Sequence, residues 1–525
     1  MGFASTFKTR RWTWYVLAFI PVLVCSIPLL FVFVSSSQIK SAELSESISF
    51  FSVSSISNTI ILCVGVLFFS LLIGVGSAYV FANYSFTGSW FFETAFMLPL
   101  SIPGYIMAIT YSSFFDYGGY FYQLTGVYFN MMNMGGLIFV LTICLYPYIF
   151  ITALHAFKLS SGNYSESAKV LGTGRRKLFF KIALPLAIPA IIGGAWLAFM
   201  ETLNDFGAAS YYGIRTMSTE IFRCWQIGPS VTVFLSLCVL MFIIITMILI
   251  QRLIAKKGYY QASKSKPVSK IKLTGTKNFI FSFLSFLLFS ICFLIPVIVL
   301  FFYSLRSGVS EDLRVLLVRS YNSFVIAGMA SLVILIFCIL SGYNKIVNGI
   351  KQSKFSNFLA DFGYAIPGSV LAIALISVAS FVDTNTGFFI TGTISFLIIA
   401  YMIRFYTVAR QPIENVFNKI PINVFNASVS LGKNPLFTFF KVYFPLLAPA
   451  FISIFLLVFI DVLKELPLTL ILRPFNFETL STSVYGYAKV NESVSQAAPY
   501  SLLIITLGVL AILILKRIER KNGIN

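Results

Sequence analysis

The stretches ESAKVLGTGRRKLFFKIALP (Glu166 to Pro185) and NASVSLGKNPLFTFFKVYFP (Asn426 to Pro445) are one segment written twice, 260 residues apart. Residues 165–190 align with 425–450 without a gap, and nine of 26 positions are identical. They are Leu171/Leu431, Gly172/Gly432, Phe179/Phe439, Phe180/Phe440, Lys181/Lys441, Pro185/Pro445, Leu186/Leu446, Pro189/Pro449 and Ala190/Ala450. Shared hydrophobicity supplies Leu and Phe matches; it does not place Gly, Lys and two Pro in register. Upstream, a shift of 264 pairs Asn58 with Asn322 and Pro103-Gly104 with Pro367-Gly368. The chain therefore reads as two units of like build.

Composition says what kind of unit. Of 525 residues, 58% are hydrophobic and 11% charged, against roughly 45–50% and 25% in a soluble domain. No water-soluble fold hides that much apolar surface, so the chain is read as an all-α integral membrane protein. Windows of about 20 apolar residues predict spans at 13–35, 56–82, 93–113, 134–157, 182–204 and 232–251. A second set follows at 278–303, 322–344, 357–381, 388–409, 444–463 and 499–515. Twelve helices in two six-span halves place equivalent points on the same side, which makes the repeats parallel. Parallel repeats are related by an axis along the membrane normal, and the pathway is expected between them. The expected organisation is a first half at 1–255, a basic cytoplasmic linker at 256–277 and a second half at 278–525. The repeated loops fall at 162–185 and 422–445.

The net charge of +20 would suggest nucleic-acid binding in a soluble chain. Here Lys and Arg cluster in short loops between apolar runs, and most lie in the loops of one side. That bias predicts both termini in the cytoplasm and leaves nucleic acid out of the expected partners. The first apolar run follows Lys8, Arg10 and Arg11 and lacks a small-x-small site, as a retained helix would. KKGYYQASKSKPVSKIKLTGTK (Lys256 to Lys277) reads as a solvated linker between the halves. Seven cysteines show no C-x-x-C pair, and a single histidine, His155, excludes a histidine-built metal site or triad.

The repeated loop carries the mechanism. Glu166-Ser167-Ala168 suits a short helix, Gly172 a turn, and Ile182-x-Leu184-Pro185 the entry to the next span. A basic loop with apolar residues beside a membrane also suits a lipid-surface anchor, but its recurrence at the equivalent place favours a shared docking role. The pattern resembles the E-A-A–x3–G–x9–I–x–L–P motif of binding-protein-dependent ABC importer permeases. Glu166, Ala168, Gly172, Ile182, Leu184 and Pro185 match it, with Ser167 in place of one Ala. The second copy has Asn426 for Glu, then Ala427 and Ser428, keeps Gly432, and closes with Val442-x-Phe444-Pro445.

The resemblance covers most of both halves. METLNDFGAASYYG (Met200 to Gly213) and KELPLTLILRPFNFETLSTSVYGYA (Lys464 to Ala488) are most similar to fused ferric-iron permeases. The resemblance implies a type I importer permease fold in the bacterial inner membrane. It also implies an external substrate-binding protein, and two copies of a cytoplasmic ABC ATPase docked at Glu166, Ser167, Ala168, Gly172, Asn426, Ala427, Ser428 and Gly432. ATP then binds the partner subunit; this chain has no G-x-x-x-x-G-K-[ST] loop and is expected to be a transport subunit, not an enzyme, with no cofactor of its own. Fused permeases for thiamine, polyamines, phosphonates and sugar phosphates share the architecture, so the cargo stays open between these and iron. An ion-coupled secondary transporter is the rival class, with Arg404 as its clearest buried ionisable candidate and no repeat partner evident for it.

Glu201 and Asp205, spaced i, i+4, should share a helical face toward the outer end of the fifth span. The repeat carries them onto Asp461 and Glu465. Hard carboxylate oxygens suit a trivalent cation; pairing with Lys464, Arg215 or Arg473 in a structural or docking role is the other reading, and no resident metal site is assigned. Tyr211-Tyr212 is expected in an interfacial belt, and the Pro-Gly pairs are expected to break helices beside the path.

Overall fold

A computed structural model describes residues 19–27, 52–160, 174–227, 270–306, 313–348, 363–364 and 366–521. The first half contributes α1 (Val53–Asn83), α2 (Ser89–Ala95), α3 (Gly104–Phe115), α4 (Met134–Ser160), α5 (Leu184–Asn204), α6 (Gly207–Tyr211) and α7 (Met217–Ile227). The second begins with α8 (Gly275–Phe289), α9 (Ile295–Arg306), α10 (Leu313–Asn348), α11 (Gly368–Thr386) and α12 (Ile394–Phe417). It ends with α13 (Ile422–Ser430), α14 (Phe444–Leu463), α15 (Pro467–Leu472), α16 (Leu480–Tyr485) and α17 (Val494–Lys521). Eight helices among these residues are long and apolar enough to cross a bilayer, nine when a bent pair is counted as one span. Of the twelve predicted spans, 232–251 and most of 13–35 lie outside the described residues, and the one expected at 388–409 begins only at Ile394 and runs on to Phe417 as α12, carrying Arg404 and Arg410.

The bent pair is the span expected at 93–113. It turns by 96° at a break between Ser101 and Gly104, because Pro103 has no amide to continue the ladder. Proline also explains a second repeated feature. Single π-helical turns at Phe179–Ala183, Phe439–Tyr443 and Ser290–Leu294 each stand just before an X-Pro step, at Pro185, Pro445 and Pro296. The proline ring crowds the carbonyl four residues back. The preceding helix widens by one residue to clear it, and Leu184, Phe444 and Ile295 donate instead to the carbonyls of Phe179, Phe439 and Ser290.

The halves pack alike: α1 lies on α4 and α5, and α10 lies on α12 and α14. The first Phe of the repeated Phe-Phe-Lys is explained at this level. Tyr79 meets Phe157 and Phe179 with ring centroids 5.5 and 4.7 Å apart. At matching positions, Tyr343 meets Phe417 and Phe439 at 6.2 and 5.1 Å. Each cage ties the base of a repeated loop to the helices of its half.

Between the halves the first helices cross over. The Cys25 thiol reaches the Ile403 carbonyl of α12 at 4.0 Å. In return α8 and α9 lie against the first half, where Tyr111 donates to the Ile291 carbonyl and Tyr303 to the Ser113 carbonyl. The final part of the expected linker is not a free tether. Tyr84–Ser85 pairs in parallel with Ile271–Lys272, and Glu93 holds Lys158 at 2.7 Å and Lys270 at 3.5 Å. Residues 256–269 of that linker lie outside the described residues.

Tyr343 is the best test of the loop anchor, since its hydroxyl also donates to the Pro435 carbonyl at 2.8 Å. Tyr343→Ala should cost about 3–5 kcal/mol, as a buried aromatic deletion does, and Tyr343→Phe only about 1 kcal/mol. The apparent midpoint of thermal unfolding in detergent, followed by labelling of the buried cysteines, checks the order.

Candidate functional site

Each half breaks its fifth span in the same way. The α5 helix stops at Asn204, and Asp205 leaves it in extended conformation (φ −65°, ψ 121°). The Ala209 amide donates to Asp205 Oδ2 at 2.9 Å, so the carboxylate caps α6. In the second half α14 stops at Leu463, and the Leu468 amide of α15 donates to Glu465 Oε2 at 3.2 Å. The expected shared helical face of Glu201 and Asp205 is therefore corrected: the helix ends between them because Asp205 serves the next one.

The return segment is held by the same bonds in both copies. Ser218 Oγ donates to the Asp205 carbonyl at 2.5 Å, and Ser481 Oγ to that of Glu465 at 2.8 Å. The amide of Met217 donates to Thr59 Oγ1 at 2.9 Å, that of Leu480 to Ser323 Oγ at 2.6 Å. Asn58 and Asn322, a pair the repeat had already matched, donate to the carbonyls of Arg215 and Glu478 at 3.0 and 3.1 Å. Thr216-Met217-Ser218-Thr219 and Thr479-Leu480-Ser481-Thr482 were thus a readable signal that sequence reasoning passed over.

The two breaks converge on one cavity of about 120 Å³. All four predicted acids, Glu201, Asp205, Asp461 and Glu465, line it, together with Arg404 and Lys464. Four acids face two bases there, so the cavity is formally negative. Arg404 does have a partner: its Nε stands 3.3 Å from Glu465 Oε1, and its Nη1 donates to the Ile366 carbonyl at 3.1 Å. Lys464 Nζ lies 2.8 Å from Asp461 Oδ1. Glu201 accepts from the Tyr364 hydroxyl of the other half at 2.7 Å. Among the described residues, Glu201 and Asp205 form no ion pair.

The Pro-Gly corners close the site from the side. A Cβ on Gly104 would lie 3.3 Å from Asp205 Oδ1, and one on Gly368 only 2.5 Å from Glu465 Oε1. Glycine at 368 is what lets the buried Arg404–Glu465 pair form. Among the described residues no three His, Cys, Asp or Glu side chains converge closely enough to hold a metal ion. Arg473 pairs with Glu478 and takes no part. Tyr211 and Tyr212 are buried, not interfacial: Ser112 donates to the Tyr211 hydroxyl at 3.3 Å, and Tyr212 donates to the Ala108 carbonyl at 3.3 Å.

On the opposite side, α13 presents the second repeated loop. Asn426 and Ala427 are exposed, and Ser428 Oγ lies 2.7 Å from Thr438 Oγ1. Gly432 takes a left-handed turn (φ +74°), with Gly432 N–H donating to Val429 O and Lys433 N–H to Ser428 O. Beside it Leu431 is 77% exposed, and Ile422, Leu436 and Phe437 are exposed too, an apolar surface larger than a lone protruding residue. Glu166, Ser167, Ala168 and Gly172 lie outside the described residues.

Comparison with known proteins agrees with this duplicated architecture. The family described as "Binding-protein-dependent transport system inner membrane component" matches twice, over residues 70–258 and 334–523. The Fe(3+)-transport system permease protein FbpB 2 of Haemophilus influenzae is 26% identical over 477 residues, 88% of this chain and 89% of the relative. The molybdenum transport system permease protein ModB of Escherichia coli is 29% identical over 144 residues, 27% of this chain and 62% of the relative. The ferric transport system permease protein FbpB of Actinobacillus pleuropneumoniae is 22% identical over 387 residues, 68% and 55% of the two chains.

Removing one partner of the buried pair should be costly. Arg404→Ala leaves Glu465 unpaired and is expected to destabilise by about 3–5 kcal/mol. Replacing both residues with Leu should restore much of that loss. Thermal midpoints of the two variants in detergent decide it: a double variant no better than the single would mean the pair is not coupled.

Proposed function

The chain belongs to the binding-protein-dependent transport system inner membrane component family, a permease with two such units fused in one polypeptide, and we propose that its cargo is ferric iron. The observation that carries the cargo reading is the formally negative cavity at the two helix breaks, lined by residues of both halves. Its hard oxygen donors suit a small, highly charged cation. Similarity to a ferric permease across 88% of the chain points the same way.

In this reading an external binding protein delivers iron to the outer face, and the 1–255 and 278–525 halves form the path. Both termini lie in the cytoplasm, as the basic loops favour. Two copies of a cytoplasmic ATPase dock on the loops at 162–185 and 422–445, and ATP binds and is hydrolysed there. The second dock centres on Asn426, Ala427, Ser428 and Gly432; the first on Glu166, Ser167, Ala168 and Gly172. Pull or push on α13 reaches α10 through the Tyr343–Pro435 bond and α14 through the π-turn. The α14 helix ends at the cavity, so movement at the dock changes the spacing of the acids across the axis. The halves rock between inward-open and outward-open states, and cargo follows.

Cells lacking the chain should lose energised uptake of radiolabelled ferric iron and regain it when the chain is restored. Unchanged uptake in a strain without other iron routes would exclude iron as the main cargo and leave the importer class standing. Thiamine, polyamines and phosphorylated solutes would then be assayed.

Gly432→Val places a β-branched residue at positive φ. It should lower uptake at least tenfold and abolish stimulation of the ATPase by loaded binding protein, with little change in thermal midpoint. Normal stimulation in that variant would remove Gly432 from the dock.

A further inference from the structure

The repeat exposes a difference between the two walls of the cavity. Position 204 corresponds to 464 and position 144 to 404, each 260 residues apart; Leu137/Leu397, Ile143/Ile403 and Tyr146/Tyr406 fix the second register. All four residues line the cavity. The second half places Lys464 and Arg404 at these positions, and both cations are engaged by its own acids, Asp461 and Glu465. In their stead the first half places Asn204 and Cys144. Its acids, Glu201 and Asp205, receive neutral donors only: a tyrosine hydroxyl and a backbone amide.

Two neutral side chains of that same half have no hydrogen-bond partner. Asn204 is 5% exposed, yet neither Oδ1 nor Nδ2 makes a hydrogen bond. Tyr105 is 4% exposed, and its hydroxyl is equally without one. Buried polar atoms are nearly always paired, and each orphan costs about 1–3 kcal/mol. Five such atoms belong to residues lining the cavity: Arg404 Nε and Glu465 Oε1 face each other at 3.3 Å in their ion pair, and the three from the first half call for a partner that arrives from inside it. That partner meets two carboxylates that form no ion pair among the described residues, an amide oxygen and a phenol oxygen: a hard-donor set for a multivalent cation or its remaining water shell.

We infer that cargo passes along the first-half wall, contacting Glu201, Asn204, Asp205 and Tyr105, while the ion-paired second-half wall is a structural counterpart that does not bind it. The inference rests on the cation-importer reading above and names the side of the site that performs it. Cation affinity comes from the first half; the Arg404–Glu465 and Lys464–Asp461 pairs hold the opposite wall in shape.

The duplication supplies the test. Asn204→Lys gives the first wall the residue the second wall has; Lys464→Asn does the converse; Asn204→Asp keeps size and adds a carboxylate. Each purified chain, in detergent, is titrated with terbium(III) as a hard trivalent probe, read by aromatic-sensitised luminescence. Ferric uptake and thermal midpoint are measured beside it. Asn204→Lys should weaken terbium binding and lower uptake at least tenfold with an unchanged midpoint. Asn204→Asp should bind terbium at least as well as the parent. Lys464→Asn should lower the midpoint and keep terbium affinity within about threefold.

Absence of saturable terbium binding by the parent chain, binding that Asn204→Lys leaves untouched, or equal losses from both exchanges would overturn the inference. Terbium binding that obeys the expected pattern, with no iron uptake by the parent chain, would sink iron as cargo and uphold the wall assignment.

Discussion

Two carboxylates at the breaks of the fifth spans set the shape of everything around them. A helix cannot stop in a bilayer without leaving amides and carbonyls unpaired, and no water is present to take them. Asp205 and Glu465 solve this by accepting the amides of the helices that follow, so each fifth span ends within the protein instead of running through it. The Ser218 and Ser481 hydroxyls then take the carbonyls of those same acids. Because the breaks are satisfied locally, they can face each other across the interface and leave space between them. The cavity is a by-product of two well-made helix ends.

The same economy accounts for where asymmetry is tolerated. The caps are duplicated, but their surroundings are not: one wall carries arginine and lysine, the other cysteine and asparagine. A desolvated ion pair such as Arg404–Glu465 contributes little net stability and is costly to break, so its value is geometric. It fixes the side chains around Gly368, where a single methyl group would stand 2.5 Å from a carboxylate oxygen. At the ends that bear the repeated loops the halves agree more closely, since Tyr79 and Tyr343 each organise rings of the repeated loop.

Much of this was legible before any coordinates. The helical membrane class followed from composition, and the duplication, the Pro-Gly break and the four acids from spacing, because register survives when side chains diverge. What stayed hidden depends on partners distant in sequence. Arg404 looked isolated because its acid lies 61 residues onward, in the break between α14 and α15. Tyr364 donates to Glu201 from the opposite half, which no local pattern announces. Asn204 stood beside a marked acid and was passed over, since a single amide carries no periodic signal. The π-turns follow from proline chemistry that was visible, but their register appears only once the hydrogen bonds are drawn.

The crossed first helices bear on how such a chain is made. Phe91 and Phe92 pack on Phe289, and Tyr111 finds its acceptor at Ile291, so the first half lacks part of its own surroundings until α8 and α9 have entered the bilayer. The earlier half therefore waits, incompletely packed, while the ribosome completes the next helices. Fusion into a single polypeptide keeps that interval short and guarantees that the helix which arrives is the matching one. A split version would have to find its counterpart by diffusion in a crowded membrane, with an unsatisfied phenol and an open aromatic groove exposed to lipid and to every other partner on the way.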